Sequence, residues 1–196
     1  MNNYHLILAS NSPRRKELLS GIDIEYEIRT LPDIEEEYTN DIPLENVAEF
    51  LAGKKAAAYL SLLKEDELLI TADTVVLLND KIYGKPVDNA DARQMLRDLS
   101  GRTHRVITGV CLTTTKKQVA FSDTARVTFA ELTDEEIGYY VEKYRPLDKA
   151  GAYGVQEWIG YVAVKHIEGS YFNVMGLPIH RVYKELKSSF GLQITG

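Results

Sequence analysis

The sequence has few of the features that mark secreted, membrane or disulfide-bonded proteins. It contains 1 cysteine among 196 residues, so no internal disulfide can form. We interpret Cys111 as a small buried residue on a strand rather than as a nucleophile. Residues 1–10 carry no basic segment, their apolar run at 6–9 is too short for a signal peptide, and no later run reaches a membrane-spanning length. We therefore expect a cytoplasmic protein without a membrane partner.

Several common nucleotide and hydrolase motifs are also missing. The sequence has no G-x-G-x-x-G, no Walker A and no G-x-S-x-G pattern, which excludes the usual dinucleotide, P-loop and hydrolase-elbow sites. Its histidines, at positions 5, 104, 166 and 180, show no metal-ligand spacing.

Positive charge is in deficit. With 23 basic and 29 acidic residues the net charge is -6, so the whole molecule repels polyanions and we expect no stable nucleic-acid partner. Basic residues that cluster against this acidic background are therefore informative.

Length and composition indicate one soluble domain or at most two, and we expect one domain over residues 1–196. With 44% hydrophobic and 27% charged residues the chain is ordinary for a globular protein. A chain of this size buries about 70% of its unfolded surface, so it needs neither disulfides nor a structural metal.

Apolar periodicity and turn residues predict interleaved strands and helices. The predicted strands are residues 4–9, a hairpin of 105–114 and 119–129, and a strand near 161–167. The first predicted helix is capped by Ser12 and ends at Gly21, and the second runs from Pro43 to about residue 63. The third is capped by Asn89 and ends before Gly101. The fourth has a capping box at 133–136 and ends at Pro146, and Pro178 opens the fifth. The fold class is α/β or α+β with a mixed sheet.

Residues 10–16 place three consecutive cations at a predicted helix N-terminus. This is unfavourable unless an anion binds there, because a helix N-terminus is itself partly positive. Ser10, Ser12, Arg14 and Arg15 together suit a phosphate, which backbone N–H groups and paired guanidiniums bind well. The alternative is a solvated basic turn in which Ser12 only caps the helix.

Asp73 interrupts the apolar segment 68–78. A carboxylate in such a setting is costly unless it is paired or binds a metal, which makes it a candidate functional residue. Alternatively, Asp73 ends one strand and caps a turn before another strand begins at Thr74.

Further charges could join the same anion site. Lys85 lies between a glycine and a proline, and Lys54 and Lys55 lie on the second predicted helix. The acidic segment 33–37, which includes Glu36, could supply an oxygen ligand for a divalent cation. The alternative for each of these features, and the more usual one, is ordinary solvated surface.

Two loops, at 148–156 and 169–178, are rich in glycine and aromatic residues. Such loops allow a flat ligand to approach the backbone closely, and the amide of Gln156 can meet both donor and acceptor edges of a base. Plain turn chemistry with core aromatic residues is the alternative.

The order of these segments resembles that of the Maf family of nucleoside triphosphate pyrophosphatases. The resemblance covers nearly the whole chain and rests on LASNSPRR (8–15), ADTVV (72–76), GKP (84–86), SGRTHRV (100–106), KAGAYGVQ (149–156) and GSYFNVMGLP (169–178). It implies a fold similar to that of inosine triphosphatase, an elongated mixed sheet with flanking helices and a central cleft, in a protein that is usually a homodimer. It also implies hydrolysis of a nucleoside triphosphate to the monophosphate and pyrophosphate with a divalent metal, Mg²⁺ or Mn²⁺.

Within the family the chain resembles the branch that acts on dTTP and UTP, which carries Arg14, Thr74 and Gln156 at the matching positions. The resemblance implies that Asp73 is the acidic catalytic residue, which we expect to act as general base and metal ligand, with Glu36 as a second ligand. It gives substrate-binding roles to Ser10, Arg14, Arg15, Lys55, Thr74, Lys85 and Gln156.

A second hypothesis is a nucleotide-binding regulator of septum formation that uses the same arginines without catalysis. The net charge of -6 and the lack of an extended basic face argue against a nucleic-acid-associated form of this regulator.

Overall fold

A computed structural model describes residues 4–32, 34 and 37–192. The strands are β1 (His5–Leu8), β2 (Tyr26–Ile28), β3 (Glu67–Leu78), β4 (Lys81–Tyr83), β5 (Thr103–Thr113), β6 (Gln118–Phe129) and β7 (Val164–Glu168). The helices are α1 (Pro13–Ser20), α2 (Val47–Tyr59), α3 (Asn89–Leu99), α4 (Asp134–Tyr144), α5 (Trp158–Ala163), α6 (Tyr171–Met175) and α7 (Ile179–Phe190). Short 3₁₀ turns cover Leu44–Asn46, Leu60–Leu62 and Ala150–Ala152.

The strands form one mixed seven-stranded sheet. Their order is β2-β1-β3-β5-β6-β7, and β4 pairs with β3. β1 runs parallel to β2 and β3, whereas the β3–β4 and β6–β7 pairs are antiparallel. The predicted mixed α/β class is therefore confirmed.

The chain forms two compact units. Unit 1 comprises Met1–Asp73, Thr108–Asp123 and Gly176–Gly196, and unit 2 comprises Thr74–Ile107 and Thr124–Met175. Strands β3, β5 and β6 each contribute residues to both units. One domain over residues 1–196 stays a prediction.

In unit 1, helix α2 packs closely against strand β5. A Cβ atom built on Gly109 would lie 2.3 Å from the backbone carbonyl carbon of Ala48, so no side chain fits at this position of β5. Tyr59 and Cys111 belong to the buried cluster between these elements, and Cys111 is fully buried on a strand, as the sequence predicts.

In unit 2, an aromatic cluster joins strands β5 and β6 to the loop before α5. His104, Phe129 and Tyr153 meet edge to face, and a nitrogen of the His104 ring lies 2.8 Å from the Tyr153 hydroxyl. Burial lowers the pKa of His104 to about 4.

Several predicted caps are confirmed by their hydrogen bonds. Ser12 caps α1 with Pro13 at the first helical position, and Thr133 and Glu136 form the capping box of α4. Strands β5 and β6 are neighbours joined through residues 114–117, where Thr114 N–H donates to the carbonyl of Lys117 at 2.8 Å.

Four details of the predicted secondary structure are wrong. Asp88, not Asn89, caps α3, since its carboxylate accepts from the N–H of Asp91. The second helix opens with a 3₁₀ turn and becomes α-helical only at Val47. Residues 161–163, predicted as the start of a strand, belong to helix α5. Ile159 and Ala163, four residues apart on this helix, are both buried, and their burial overrides the strand preference of Tyr161 and Val162. Residues 171–175, expected as loop, form the short helix α6.

In the part of the chain that the structure describes, no helix has both the length and the apolar character needed to cross a membrane.

Candidate active site

Asp73 lies in the interior of strand β3, which runs without a break from Glu67 to Leu78. The alternative in which Asp73 ends a strand is therefore wrong. The residue is 8% exposed, and Ala72 before it and Val75 two residues after it are buried. A carboxylate in this position needs a partner, because an unpaired buried charge is strongly unfavourable.

Lys55 of α2 is that partner. Its Nζ lies 2.5 Å from Asp73 Oδ1, and both side chains are largely buried. The contact follows from local geometry, since Thr71 and Asp73 share a face of β3 and the Thr71 hydroxyl donates to the carbonyl of Ala52, three residues before Lys55. Thr71 thus fixes α2 over the face of the strand that carries Asp73.

The segment before α1 is held by two serines. Ser12 Oγ accepts from the backbone N–H of Arg15 at 3.5 Å, and Ser10 Oγ accepts from the N–H of Ser12 at 3.2 Å. Ser10 is buried, and Arg14 is half-buried in the first turn of α1. Capping is therefore one confirmed role of Ser12.

Arg15 connects α1 to the residue before Asp73. Its Nη1 donates to the carbonyl of Ala72 at 2.9 Å, and its Nε donates to the carbonyl of Gly176 at 2.8 Å. The structure thus brings Arg15, Lys55 and Asp73 together around one point of β3 in unit 1.

The remaining candidates, Thr74, Lys85 and Gln156, lie in unit 2. Backbone contacts join their segments: the N–H of Gly151 donates to the carbonyl of Gly84 at 3.0 Å. A Cβ on Gly151, which has a φ of 67°, would lie 2.9 Å from a methyl group of Val76. The glycine therefore lets the loop that carries Gln156 lie directly against β3. Thr74 is half-buried and Lys85 is exposed.

Sequence reasoning missed a polar cluster around the same loop. Lys149 is 7% exposed, and its Nζ lies 2.8 Å from Asp148 Oδ1 and 3.1 Å from Glu157 Oε1. Glu157 also accepts a hydrogen bond from the buried hydroxyl of Tyr140. Burial and this bond raise the pKa of Tyr140. Tyr140 follows the apolar period of α4, so nothing in the sequence distinguishes it from a purely hydrophobic core residue.

The described residues supply one of the two predicted metal ligands. Among them, no group of three or more His, Cys, Asp and Glu side chains is arranged to hold a metal ion. The predicted ligand Glu36 lies outside the described residues, as do Asp33 and Glu35 of the same acidic segment. Asp73 alone still fits Mg²⁺, which proteins often bind through one or two carboxylates together with substrate phosphates.

The chain is similar to proteins from several bacteria. It is 59% identical to the dTTP/UTP pyrophosphatase of Phocaeicola vulgatus over 187 residues, which are 95% of this chain and 97% of that protein. It is 55% identical to the protein of that name from Porphyromonas gingivalis, over 95% of each chain, and 48% identical to the one from Flavobacterium johnsoniae, also over 95% of each.

Among solved structures, the Staphylococcus aureus Ham1 protein is similar, with a TM-score of 0.54 over 92% of this chain and 99% of that one. At 19% identity this likeness shows the fold alone. The family model described as Maf-like protein matches residues 5–189. With nearly the whole chain matched, and with whole-length relatives at 48% to 59% identity, the chain belongs to the Maf family.

Proposed function

We propose that the protein hydrolyses dTTP and UTP to the nucleoside monophosphate and pyrophosphate. The observation that carries this proposal is the buried Lys55–Asp73 pair, beside which Arg15 binds the carbonyl of Ala72. The pair places an acid and a cation at one point of a rigid strand. The names of the whole-length relatives support the same reaction and substrates.

The triphosphate carries nearly four negative charges, so its hydrolysis depends chiefly on positioning and charge neutralisation. We assign the neutralisation to Arg14, Arg15, Lys55 and Lys85, and the orientation of the phosphates to Ser10 and the N-terminus of α1. Because Arg15 donates to two backbone carbonyls, we also give it the role of fixing β3 next to Asp73.

Asp73 is the proposed general base and metal ligand. Lys55 orients its carboxylate through Oδ1, and the carboxylate accepts the proton of the attacking water. A divalent cation, Mg²⁺ or Mn²⁺, would be held by Asp73 and, as the resemblance implies, by Glu36. When bound it would polarise the α-phosphate and lower the pKa of that water.

Thr74 and Gln156 are the proposed recognition residues for the pyrimidine. A homodimer and a cytoplasmic location, which the family resemblance and the composition suggest, belong to the same proposal.

The position of attack is tested by hydrolysis in ¹⁸O-labelled water with Mg²⁺. We expect UTP and dTTP to yield the monophosphate and pyrophosphate, with the label in the monophosphate, because the water attacks the α-phosphorus. Label in the pyrophosphate would indicate attack at the β-phosphorus. Release of orthophosphate and a diphosphate would contradict the proposed reaction, and nucleotide binding without turnover would favour the regulator.

A further inference from the structure

The loop of residues 148–157 contains a buried charged cluster to which the proposed chemistry gives no role. Lys149 contacts Asp148 and Glu157, and the side chains of Lys149 and Glu157 are only 8% and 20% exposed. Such a cluster is not needed for stability, because apolar residues of similar volume often stabilise a protein at least as much. Its position beside a candidate binding residue therefore calls for a functional explanation.

The hydroxyl of Tyr140 forms hydrogen bonds with the first and last residues of one tight turn, residues 154–157. It accepts from the N–H of Gly154 at 3.0 Å and donates to Oε2 of Glu157. The turn is closed by the N–H of Glu157, which donates to the carbonyl of Gly154 at 3.0 Å. Because Tyr140 is fully buried on α4, the turn is attached to a rigid element rather than left to move as a loop.

Gly154 is required for this arrangement. A Cβ atom there would lie 2.9 Å from Cδ of Glu157 and 3.1 Å from Cε of Lys149, so the absence of a side chain lets these two groups close over the turn. The ammonium of Lys149 then holds Oε1 of Glu157 while Tyr140 holds Oε2. Both carboxylate oxygens are thus fixed.

Gln156 lies inside this turn, directly before Glu157. Its Oε1 is buried and has no hydrogen-bond partner within the residues that the structure describes. A buried acceptor without a donor is unfavourable, so such an atom is suited to receive an N–H group from a ligand. The turn therefore fixes the backbone from which this buried acceptor projects.

We propose that Tyr140, Glu157 and Lys149 are positioning residues that hold Gln156 Oε1 as the acceptor for the ring imide N–H of uracil or thymine. This inference rests on the proposed function and adds to it the source of selectivity among pyrimidines. Cytosine carries a lone pair in place of that N–H, so a fixed acceptor would face another acceptor and the hydrogen bond would be lost. A mobile Gln156 could turn its amide nitrogen to cytosine instead, and only a fixed side chain discriminates.

The test compares Tyr140→Phe with Tyr144→Phe as a matched control. Tyr144 lies one turn further along α4 with its ring stacked on that of Tyr140, so each variant removes one hydroxyl and keeps the ring. For Tyr140→Phe we expect the ratio of kcat/KM for UTP to that for CTP to fall about ten-fold, mainly through a higher KM for UTP. Tyr144→Phe is expected to retain the wild-type ratio.

Two further variants separate positioning from general damage. Glu157→Gln keeps an acceptor for the Tyr140 hydroxyl but removes the charge opposite Lys149, and we expect it to lower the ratio less than Tyr140→Phe. In a Gln156→Ala background, Tyr140→Phe is expected to produce no further fall in the ratio, because its effect passes through Gln156. Thermal unfolding of each variant identifies any that fails to fold.

An unchanged ratio in both Tyr140→Phe and Glu157→Gln would overturn the inference, as would an equal loss with UTP and CTP. The inference would also be overturned if Tyr140→Phe lowered the UTP-to-CTP ratio as much in the Gln156→Ala background as it does in the wild type. These outcomes leave the proposed function intact, whereas a wild-type protein that hydrolyses neither UTP nor dTTP would overturn both.

Discussion

At the residue scale, the proposed chemistry depends on a carboxylate placed where a strand would ordinarily carry an apolar side chain. Asp73 is 8% exposed in the interior of β3 and is held by Lys55. Apolar residues of similar volume often give a protein equal or greater stability than such a buried ion pair. Its presence is therefore best explained by a function for the carboxylate.

Asp73→Asn should lower kcat for UTP on the order of a hundred-fold or more, because it removes the proposed general base while keeping the shape of the side chain. The matched control is Asp80→Asn, at an exposed acid in the turn after β3, which should keep wild-type turnover. Steady-state kinetics measure both. Wild-type turnover by a folded Asp73→Asn protein would remove Asp73 from the mechanism.

His104 gives a prediction about pH. Its folded-state pKa of about 4 lies below the ordinary value near 6.5, so the unfolded chain takes up the proton first as the pH falls. The contribution of the neutral ring to stability is thus complete above about pH 6.5 and is lost as the pH falls towards 4. Between about pH 7.5 and pH 4.5 we expect a loss of about 2 kcal/mol that His104→Gln does not show.

Urea unfolding at the two pH values measures this difference. His166→Gln, at an exposed histidine on β7, is the control and should follow the wild type. An identical pH dependence for wild type and His104→Gln would contradict the assigned pKa.

At the element scale, the site depends on how closely α2 lies against the sheet. Gly109 allows this approach, since its missing Cβ would meet the backbone of Ala48 and Glu49 at 2.3 Å. The same helix carries Lys55 to Asp73. The position of the Lys55–Asp73 contact, which we propose to be catalytic, therefore depends on a glycine on a different strand.

Gly109→Ala should destabilise the protein by about 1–3 kcal/mol and lower its activity, because α2 must move away from β5. Gly53→Ala is the matched control: Gly53 is inside α2, and a Cβ there has nothing within 4 Å. That substitution should stabilise the protein by about 0.5–1 kcal/mol through helix propensity. Equal effects of the two substitutions in urea unfolding would show that α2 is free to shift.

Arg29, just after β2, forms an ion pair with Glu67 at the start of β3. Two guanidinium nitrogens contact both carboxylate oxygens at 3.0 and 2.9 Å, and Glu67 is 2% exposed. The hydrogen bonds from Arg29 lower the pKa of Glu67 to about 2, so the pair's stabilisation is complete above about pH 4.5 and is lost as the pH falls towards 2.

Arg29→Met should cost about 3 kcal/mol at neutral pH, because it leaves the buried carboxylate only the N–H of Lys64 and the exposed Lys64 ammonium at 3.9 Å. Adding Glu67→Gln removes that charge and should restore part of the loss. Urea unfolding of the single and double variants measures the coupling, and strictly additive effects would contradict it.

Much of this organisation was predictable from local patterns. The caps of α1 and α4 were predictable because a capping side chain bonds within three residues of itself. The Lys55–Asp73 and Tyr140–Glu157 contacts were not, since they join residues 18 and 17 positions apart through tertiary packing. Residues 161–163 misled the prediction because Tyr161 and Val162 favour strands, yet both are exposed on a helix that buries only Ile159 and Ala163. The substrate and metal roles of the site residues stay predictions.

At the scale of the whole molecule, the two units are linked by three strands rather than by a single connection. Strands β3, β5 and β6 each begin in one unit and end in the other. We therefore expect the unfolding of one unit to disrupt strands of the other. This continuity is consistent with the predicted single domain.

Thermal unfolding should accordingly be one cooperative transition, with equal calorimetric and van't Hoff enthalpies. The variants Gly109→Ala in unit 1 and Tyr140→Phe in unit 2 should each shift that whole transition. Two resolved transitions, one of which shifts in each variant, would contradict the single-domain prediction.

The solitary thiol has a practical consequence for measuring the molecule in solution. Cys111 is fully buried and burial raises the pKa of its thiol, so maleimide reagents should leave the native protein unlabelled. Any cysteine engineered at an exposed position would then be the sole point of attachment for a fluorophore or spin label. Such a label could be introduced within either unit without first removing a native thiol.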